Sequence, residues 1–264
     1  MKTINTKIAI SFDDGRQDNV DVIDRLAAKG IPASLYVTTG YVDGSCPQDK
    51  LPTAIPAMSV DDVKRLFHNP LVEIGMHGDM HLNEDWDIRN GREKLLKWLD
   101  LDTSYQFGFA SPSTSYSVER FLNSNAPLFT HEIAYLAMGQ RRVTHAKVRT
   151  IARKGSRVIH SGILYKTAYQ DTLMLDCPDR VIYRVPVLGD ITFEQLRTLV
   201  EDAVRRRASL VFMFHSIADC EDTWTWSNEK FEQLIDYLEA LKERQRIELT
   251  TVRDLHAFLS VSGR

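Results

Sequence analysis

The stretch IAISFDDGRQDNV, residues 8–20, joins an apolar strand to two adjacent carboxylates. The apolar residues from Ile8 to Phe12 predict a buried strand, and Asp13 and Asp14 follow it directly. Neighbouring like charges repel each other, and Asp-Asp-Gly on its own is typical of a turn. In parallel α/β folds, however, reactive groups lie at the carboxyl ends of strands. The stretch therefore favours a parallel sheet with polar chemistry at that edge.

The composition is that of an ordinary globular protein. Of the 264 residues, 43% are hydrophobic and 26% are charged, and the formal net charge is −3. This charge predicts no general attraction to nucleic acid or to a membrane surface. Cys46, Cys177 and Cys220 lack metal-binding or CxxC spacing, and their odd number argues against a disulfide framework. Because no apolar run has the length of a signal peptide core or a membrane span, we expect a cytoplasmic protein.

Short apolar runs alternate with segments of helical periodicity along the chain. Further strands are predicted in IPASLYVTTG, LVEIGM, YQFGFASP, EIAYLAM, RVIYRVPV and SLVFMFHS, and a last strand and helix in IELTTVRDLHAFL. Capping boxes predict helices that begin after Ser59 and Thr192. Strands that alternate with helices predict a mostly parallel α/β fold. No linker or repeat interrupts the chain, so we expect residues 1–264 to form a single domain, with residues 113–180 the least interpretable part.

Polar residues follow three of the predicted strands. Asp13 and Asp14 follow the first, His77 and His81 follow the third, and His215 follows LVFMF. The spacing His-x-x-x-His predicts that both imidazoles lie on one side of a helical turn. One carboxylate and two imidazoles would give three metal ligands and leave positions open for water, as in catalytic sites. Each element also has an ordinary structural explanation, namely a turn, a helix face and a core histidine, but their joint occurrence favours the metal site.

The motifs SFDDG, HGDMH and FMFHS resemble the first, second and fifth motifs of the polysaccharide deacetylase family, carbohydrate esterase family four. The resemblance runs from about residue 7 to 258, with residues 113–180 poorly matched. It implies a distorted (β/α) barrel of about seven mostly parallel strands. It also implies metal-dependent removal of acetyl groups, usually from N-acetylated sugars.

The resemblance also implies roles for individual residues. Carried over by position, Asp14, His77 and His81 would bind one divalent metal. Zinc is the expected ion, and cobalt, nickel, iron and manganese are the alternatives. Asp13 would be the general base and His215 the general acid. The metal would offset the repulsion between the two carboxylates and keep Asp14 ionised.

The third motif departs from the family pattern. In FGFASPSTSY, Ala110 stands where the family usually has an Arg that orients the base, whereas Pro112 is retained. A subgroup that acts on poly-N-acetylglucosamine shares this Ala, and it has an Arg in a later strand that matches YRVPV here. We therefore predict that Arg184 contacts both oxygens of Asp13 and replaces the missing Arg. The alternative is an outward-facing Arg184 on an exposed strand edge.

Two further motifs match the family less well. In the second motif, Gly78 stands where Ser or Thr is commoner, and we expect the loss of that hydroxyl to matter little. The fourth motif usually supplies an Asp that supports the catalytic His. Asp176 is a weak candidate for that role.

Three features concern the substrate. The predicted substrate contacts are Pro112, Trp224 and Trp226. The two tryptophans are predicted because aromatic faces pack on sugar rings. The alternative is that the two tryptophans pack beneath a loop. Residues 133–170 contain eight Lys and Arg and no Asp or Glu. They predict either a solvated helix face or a basic wall for a phosphate-bearing saccharide.

The expected function is that of a metal-dependent carbohydrate N-deacetylase, which is a hydrolase of non-peptide C–N bonds. Its expected partner is an N-acetylated sugar or saccharide. One alternative is hydrolysis of another C–N bond, as in allantoinase-like relatives on the same scaffold. A second is an inactive carbohydrate-binding relative that retains the metal. The missing Arg at Ala110 keeps this last alternative open.

Overall fold

Strands and helices alternate in the computed structural model, which describes residues 6–47, 55–112, 125, 127–128, 132–139, 181–220 and 222–262. The strands are Thr6–Phe12 (β1), Ala33–Val37 (β2), Val72–Met76 (β3), Phe107–Ala110 (β4), Ile133–Gly139 (β5), Val181–Pro186 (β6), Leu210–Phe214 (β7), Ser216–Ile217 (β8), Thr225–Trp226 (β9) and Ile247–Thr250 (β10). The helices are Gln17–Ala28 (α1), Thr39–Val42 (α2), Val60–Phe67 (α3), Asp85–Leu99 (α4), Phe193–Arg206 (α5), Asn228–Glu243 (α6) and Val252–Ser262 (α7).

Strand β1 closes the main sheet into a barrel. Strands β1 to β7 pair in order with parallel neighbours, and β1 also pairs with β7 from Ile8 opposite Leu210 to Phe12 opposite Phe214. One edge of β1 pairs with two strands. Its first half, from Thr6 to Ala9, pairs with β10, and its end, Ser11 and Phe12, pairs with β2. The predicted distorted (β/α) barrel of about seven mostly parallel strands is therefore confirmed.

Side chains of β1 alternate between two environments, as the period of a strand requires. Ile8, Ile10 and Phe12 belong to the large apolar core that includes residues of the surrounding helices. Ala9 instead clusters with residues from β2, β4, β5, β6 and β7, which places it inside the barrel. The same alternation directs Asp13, just after β1, into the carboxyl end of the barrel.

Helices α3 and α5 begin at the predicted capping boxes. The Ser59 hydroxyl accepts a hydrogen bond from the Asp62 N–H, and the Thr192 hydroxyl accepts one from the Gln195 N–H. In both boxes the third residue of the helix bonds back to the capping residue. These reciprocal bonds satisfy backbone donors that the first helical turn leaves without partners.

Polar groups also lie inside the barrel, below the carboxyl end. The Tyr36 and Tyr135 hydroxyls are 2.7 Å apart, and the Tyr135 hydroxyl donates to the Glu73 carboxylate. Glu73 also accepts hydrogen bonds from the Ser34 hydroxyl at 2.7 Å and from the Arg253 N–H at 2.9 Å. This interior network links strands β2, β3 and β5 to the first turn of α7.

Several residues singled out in the sequence lie outside the part of the chain that the structure describes. The basic residues from Arg141 to Lys166, together with Asp176 and Cys177, lie outside the described residues. Their predicted roles stay predictions. Among the helices that are described, none combines the length and the apolar character needed to cross a membrane.

Candidate active site

Arg184 of β6 holds the carboxylate of Asp13 at the mouth of the barrel. Arg184 Nη1 donates to Asp13 Oδ1 at 2.6 Å, and Nη2 donates to Oδ2 at 2.9 Å. Arg184 has no exposed surface, and the face of the Tyr36 ring lies 5.0 Å from its guanidinium carbon. The predicted contact between Arg184 and Asp13 is therefore present, and the outward-facing alternative is wrong.

The ion pair keeps Asp13 ionised in a buried position. Burial opposes ionisation of this carboxyl, but the charges of Arg184 and His77 outweigh it and lower the Asp13 pKa below its ordinary value. Burial likewise opposes the charge of Arg184, but Asp13 outweighs it and raises the Arg184 pKa. Asp13 is consequently an oriented base at the end of β1.

Asp14 presents its two carboxylate oxygens to different partners. Oδ2 accepts hydrogen bonds from Arg16 Nε at 3.1 Å and Arg16 Nη2 at 2.8 Å. Oδ1 is buried and accepts no hydrogen bond within the described part of the chain. It faces the Nε2 atoms of His77 and His81, at 3.5 and 3.4 Å. Each of the adjacent carboxylates thus has its own guanidinium, because Arg184 takes Asp13 and Arg16 takes Asp14.

The segment from His77 to His81 does not form a helical turn, so that prediction is wrong. Gly78 and His81 have left-handed backbones, with φ angles of +81° and +61°. The two imidazoles nevertheless meet, with ring centroids 4.8 Å apart. His77 Nδ1 lies 2.9 Å from the Ala110 carbonyl, which can only accept, so Nδ1 carries a proton and Nε2 is the ring atom that faces Asp14.

Asp87, at the start of α4, shapes the loop that carries both histidines. Its carboxylate accepts hydrogen bonds from the N–H groups of Asp79, Met80 and Leu82, at 3.2, 2.6 and 2.9 Å. A Cβ atom at Gly78 would lie 2.3 Å from Asp87 Oδ2. This backbone position therefore combines a positive φ with no room for a side chain, which favours glycine. That the missing hydroxyl matters little stays a prediction.

The donor atoms of Asp14, His77 and His81 fit a divalent metal ion. One ligand atom from each of the three lies within 4.8 Å of the other two. The buried Asp14 Oδ1 receives no hydrogen bond from any described residue, so it is an atom that a cation would satisfy. Burial and the neighbouring His77 lower the pKa of His81 to about 4, so His81 is neutral at neutral pH, the form that binds metals. One carboxylate with two imidazoles leaves open positions around the ion.

His215 follows β7 on the same side of the barrel. Its imidazole is buried, and Nδ1 has no hydrogen-bond partner among the described residues. Burial lowers the His215 pKa, although the carboxylates of Asp14 and Asp13 oppose that shift. The Trp224 ring packs edge-on against the imidazole, with centroids 4.8 Å apart.

Comparison with known proteins matches the first part of the chain to one family model. The family model described as polysaccharide deacetylase matches residues 1–119, a range that contains Asp13, Asp14, His77 and His81. The resemblance to the polysaccharide deacetylase family is confirmed. Arg184 and His215 lie beyond the matched range. No curated protein matches the sequence.

Solved structures with a similar chain include three deacetylase-family domains. The deacetylase domain of BpsB from Bordetella bronchiseptica is 14% identical, with coverage of 49% of this chain and 62% of that chain and a TM-score of 0.39. The catalytic domain of a peptidoglycan N-acetylglucosamine deacetylase from Eubacterium rectale is 15% identical, with coverage of 89% and 85% and a TM-score of 0.42. BA3943, a CE4 family pseudoenzyme from Bacillus anthracis, is 13% identical, with coverage of 79% and 66% and a TM-score of 0.39. This chain thus spans less than two thirds of the Bordetella domain.

Three substrate contacts were predicted from the sequence, and the one at Trp226 is wrong. Trp226 has no exposed surface, its ring packs 5.6 Å from that of Phe214, and its Nε1–H donates to the Ile191 carbonyl at 2.7 Å. It is a core residue and cannot face a sugar. Trp224 is half-buried beside His215, and Pro112 is buried two residues after β4. Their substrate roles stay predictions.

Two residues that organise the candidate site were missed in the sequence. Arg16 directly follows the first motif, two positions after Asp14, where a charged residue beside two carboxylates is a usable signal. Asp87 lies six positions after His81, and its three backbone contacts depend on the path of the loop. No pattern in the sequence predicts that path.

Proposed function

We propose that this protein is a metal-dependent hydrolase that removes the acetyl group from an N-acetylated saccharide. The supporting observation is a metal donor cluster of Asp14, His77 and His81 beside an ionised Asp13 that Arg184 fixes in place. Metal-assisted amide hydrolysis combines an ion that polarises the carbonyl with an oriented base. The match of residues 1–119 to the polysaccharide deacetylase family model supports the same substrate class.

The proposed cofactor is one zinc ion. Two imidazoles and one carboxylate are ligands that zinc accepts in catalytic sites, where positions remain open for water and substrate. When bound, such an ion polarises the acetyl carbonyl and lowers the pKa of water. His77 is oriented for this role by the Ala110 carbonyl at its Nδ1.

The protein's own residues move the protons. Asp13 Oδ1 or Oδ2 accepts the proton of the attacking water, and Arg184 keeps this carboxylate ionised and correctly rotated. Arg184 thereby does the work of the Arg that the third motif lacks at Ala110. His215 donates a proton to the leaving nitrogen, after which acetate and the free amine depart. Each acid or base of this kind typically contributes about 10²–10⁴-fold to the rate.

Further proposals concern the substrate contacts, the domain organisation, the location and the partners of the protein. Trp224 is the proposed sugar contact, because its ring lies against His215 and keeps part of its surface exposed. Pro112 is proposed to line the same cleft. We further propose that residues 1–264 form one domain, that the protein acts in the cytoplasm, and that it has no nucleic-acid partner. A phosphate-bearing saccharide is proposed from the basic residues between 133 and 170.

Acetate release tests this function directly. Purified protein supplemented with zinc, cobalt, nickel, iron or manganese is incubated with N-acetylated chitooligosaccharides and with N-acetylated sugar nucleotides. We expect metal-dependent acetate from at least one of them and none from Asp13→Asn. Acetate from Asp13→Asn at the wild-type rate would contradict the mechanism. Turnover of a cyclic ureide without acetate release would favour the allantoinase-like alternative.

A second candidate is a saccharide-binding protein without turnover. The observation in its favour is His215 Nδ1, which has no hydrogen-bond partner within the described residues and hence no carboxylate to orient the acid. Calorimetric binding of an N-acetylated oligosaccharide with no acetate release, with every metal supplied, would establish this candidate over the hydrolase.

A further inference from the structure

The guanidinium of Arg16 is fully buried, and its three nitrogen atoms donate hydrogen bonds to two side chains. Nε and Nη2 both donate to Asp14 Oδ2, at 3.1 and 2.8 Å. Nη1 donates to the Ser216 hydroxyl at 3.0 Å. Arg16 has no exposed surface, and Asp14 is 1% exposed. A charge buried to this degree persists only with a close partner, and here the partner is a single carboxylate oxygen.

We infer that Arg16 is a positioning residue that makes Asp14 a one-oxygen ligand. Two donors on Oδ2 fix the rotation of the carboxylate and keep that oxygen away from the ion. Oδ1 alone then faces His77 Nε2 and His81 Nε2, at 3.5 and 3.4 Å. The inference rests on the metal site of the proposed function. Hydrogen bonds that orient a ligand from outside the coordination sphere raise metal affinity, and their loss typically costs about 10–100-fold.

The first turn of α1 holds Arg16 in place. The Arg16 N–H donates to Asn19 Oδ1 at 3.2 Å, and Asn19 Nδ2 donates to the His215 carbonyl at 2.9 Å. Asp18, one residue earlier, accepts the Ile217 N–H at 2.7 Å. The run of residues 16–19 therefore connects the carboxylate of a proposed metal ligand with the backbone of the proposed acid.

The contact requires an arginine. A guanidinium presents its donors in a rigid planar fork, so one side chain reaches Asp14 and Ser216 together. A lysine ammonium at position 16 keeps the charge but offers a single nitrogen. Arg16→Lys consequently keeps the positive charge at position 16 but removes the fork of donors, so it tests the two contributions separately.

Zinc affinity of the full-length apoprotein tests the inference. A chromophoric chelator competes for zinc with wild type, Arg16→Lys and Arg16→Met, and circular dichroism checks that each variant is folded. We expect about 10–100-fold weaker zinc binding in both variants. The matched control is Arg65→Met, because Arg65 makes a similar two-pronged contact with Asp24 on the surface, at 2.9 Å for each bond. This control should bind zinc like wild type.

A spectroscopic measurement tests the one-oxygen geometry itself. Cobalt(II) in the site reports its coordination number through the intensity of its visible absorption. Arg16→Met frees the second oxygen of Asp14, so we expect weaker bands that indicate a higher coordination number. Wild-type band intensity in a folded Arg16→Met variant would contradict the one-oxygen assignment.

If Arg16→Met does not fold, milder variants test whether Arg16 positions Asp14. Ser216→Ala removes only the acceptor of Arg16 Nη1 and should weaken zinc binding several-fold. Unchanged zinc affinity in both Arg16→Lys and Ser216→Ala overturns the inference. Zinc binding is measured without substrate, so it tests the role of Arg16 separately from the proposed activity. Weaker zinc binding in these variants, with no acetate release from wild type, would support the role of Arg16 and overturn the proposed hydrolase.

Discussion

Arg184 and Asp13 form a buried, two-pronged ion pair that joins β6 to the end of β1, with contacts of 2.6 and 2.9 Å. The two residues are 171 positions apart in the sequence. Parallel barrel closure brings them together, since both side chains point inward at the carboxyl end. The pair supplies Asp13, the proposed base, with a guanidinium, although the third motif has Ala110 where an Arg was expected.

Removal of Arg184 should move the low-pH limb of the activity profile. In wild type the Asp13 pKa is lowered, because Arg184 and His77 outweigh burial. In Arg184→Met burial is less opposed, so the Asp13 pKa rises and the base becomes protonated at higher pH. We expect the low-pH limb of kcat/KM to shift upward by about one to three pH units. The profile is measured by acetate release between pH 4 and pH 9.

Arg184→Lys provides the matched comparison. It keeps a charge but cannot bind both oxygens of Asp13, so the low-pH limb should shift less than in Arg184→Met while kcat still falls. Arg184→Met leaves Asp13 buried without its partner, and we expect a loss of about 3–5 kcal/mol in the free energy of unfolding. An unshifted limb in a folded Arg184→Met variant would show that Arg184 does not act on the base.

The histidine ligands should be separable from the fold. His77→Ala and His81→Ala are each expected to lose stoichiometric zinc, measured by elemental analysis after gel filtration, because each removes one of three donors. Circular dichroism should remain close to that of wild type. His68→Ala is the control, since His68 is exposed after α3 and should leave zinc content unchanged. Full zinc occupancy in the double variant His77→Ala, His81→Ala would contradict the assignment.

The proposed general base should be distinguishable from the proposed metal ligands. Asp13→Asn keeps the shape of the side chain and should retain zinc, because Asp14 and the two histidines are untouched. We expect kcat to fall about 10²–10⁴-fold, since an amide cannot accept the proton. Zinc content and acetate release are measured on the same preparation. A rate above roughly a tenth of wild type would exclude Asp13 as the base.

The barrel and much of its mouth are predictable from sequence, because strand periodicity and polar strand ends depend on local pattern. Arg184 was predictable for a similar reason, since a charged residue in the middle of an apolar strand needs a partner. The path of the His77 to His81 loop was not, because Gly78 and His81 adopt left-handed backbones that Asp87 stabilises from another element. Helical spacing alone gave the wrong local structure there.

The two tryptophans show a second limit of sequence analysis. Trp224 and Trp226 are both in the segment between His215 and α6, and aromatic character alone cannot tell a sugar platform from a core residue. Their environments differ because Trp226 lies in β9 and donates to the Ile191 carbonyl, whereas Trp224 lies against His215. Burial is a property of the assembled fold, and neighbours in sequence can differ in it completely.

Substitution of the two tryptophans should have opposite consequences. Trp226→Ala removes a fully buried ring and should lower the free energy of unfolding by about 3–5 kcal/mol. Trp224→Ala should leave stability nearly unchanged and raise the KM for an N-acetylated oligosaccharide. Denaturant unfolding and acetate-release kinetics are measured for both. An unchanged KM in Trp224→Ala would remove this residue from the substrate site.

Gly78 offers a test of how backbone geometry supports the metal site. Gly78→Ala places a Cβ at a φ of +81° and 2.3 Å from Asp87 Oδ2, so the carboxylate that holds the loop must move. The matched control is Gly30→Ala, where φ is +65° and no heavy atom lies within 4 Å of the added carbon. Both variants should lose about 1–3 kcal/mol of unfolding free energy from the left-handed backbone. Only Gly78→Ala should also weaken zinc binding, because its loop carries His77 and His81. Equal zinc affinity in the two variants, measured by chelator competition, would show that Asp87 and Gly78 do not hold the histidines in place.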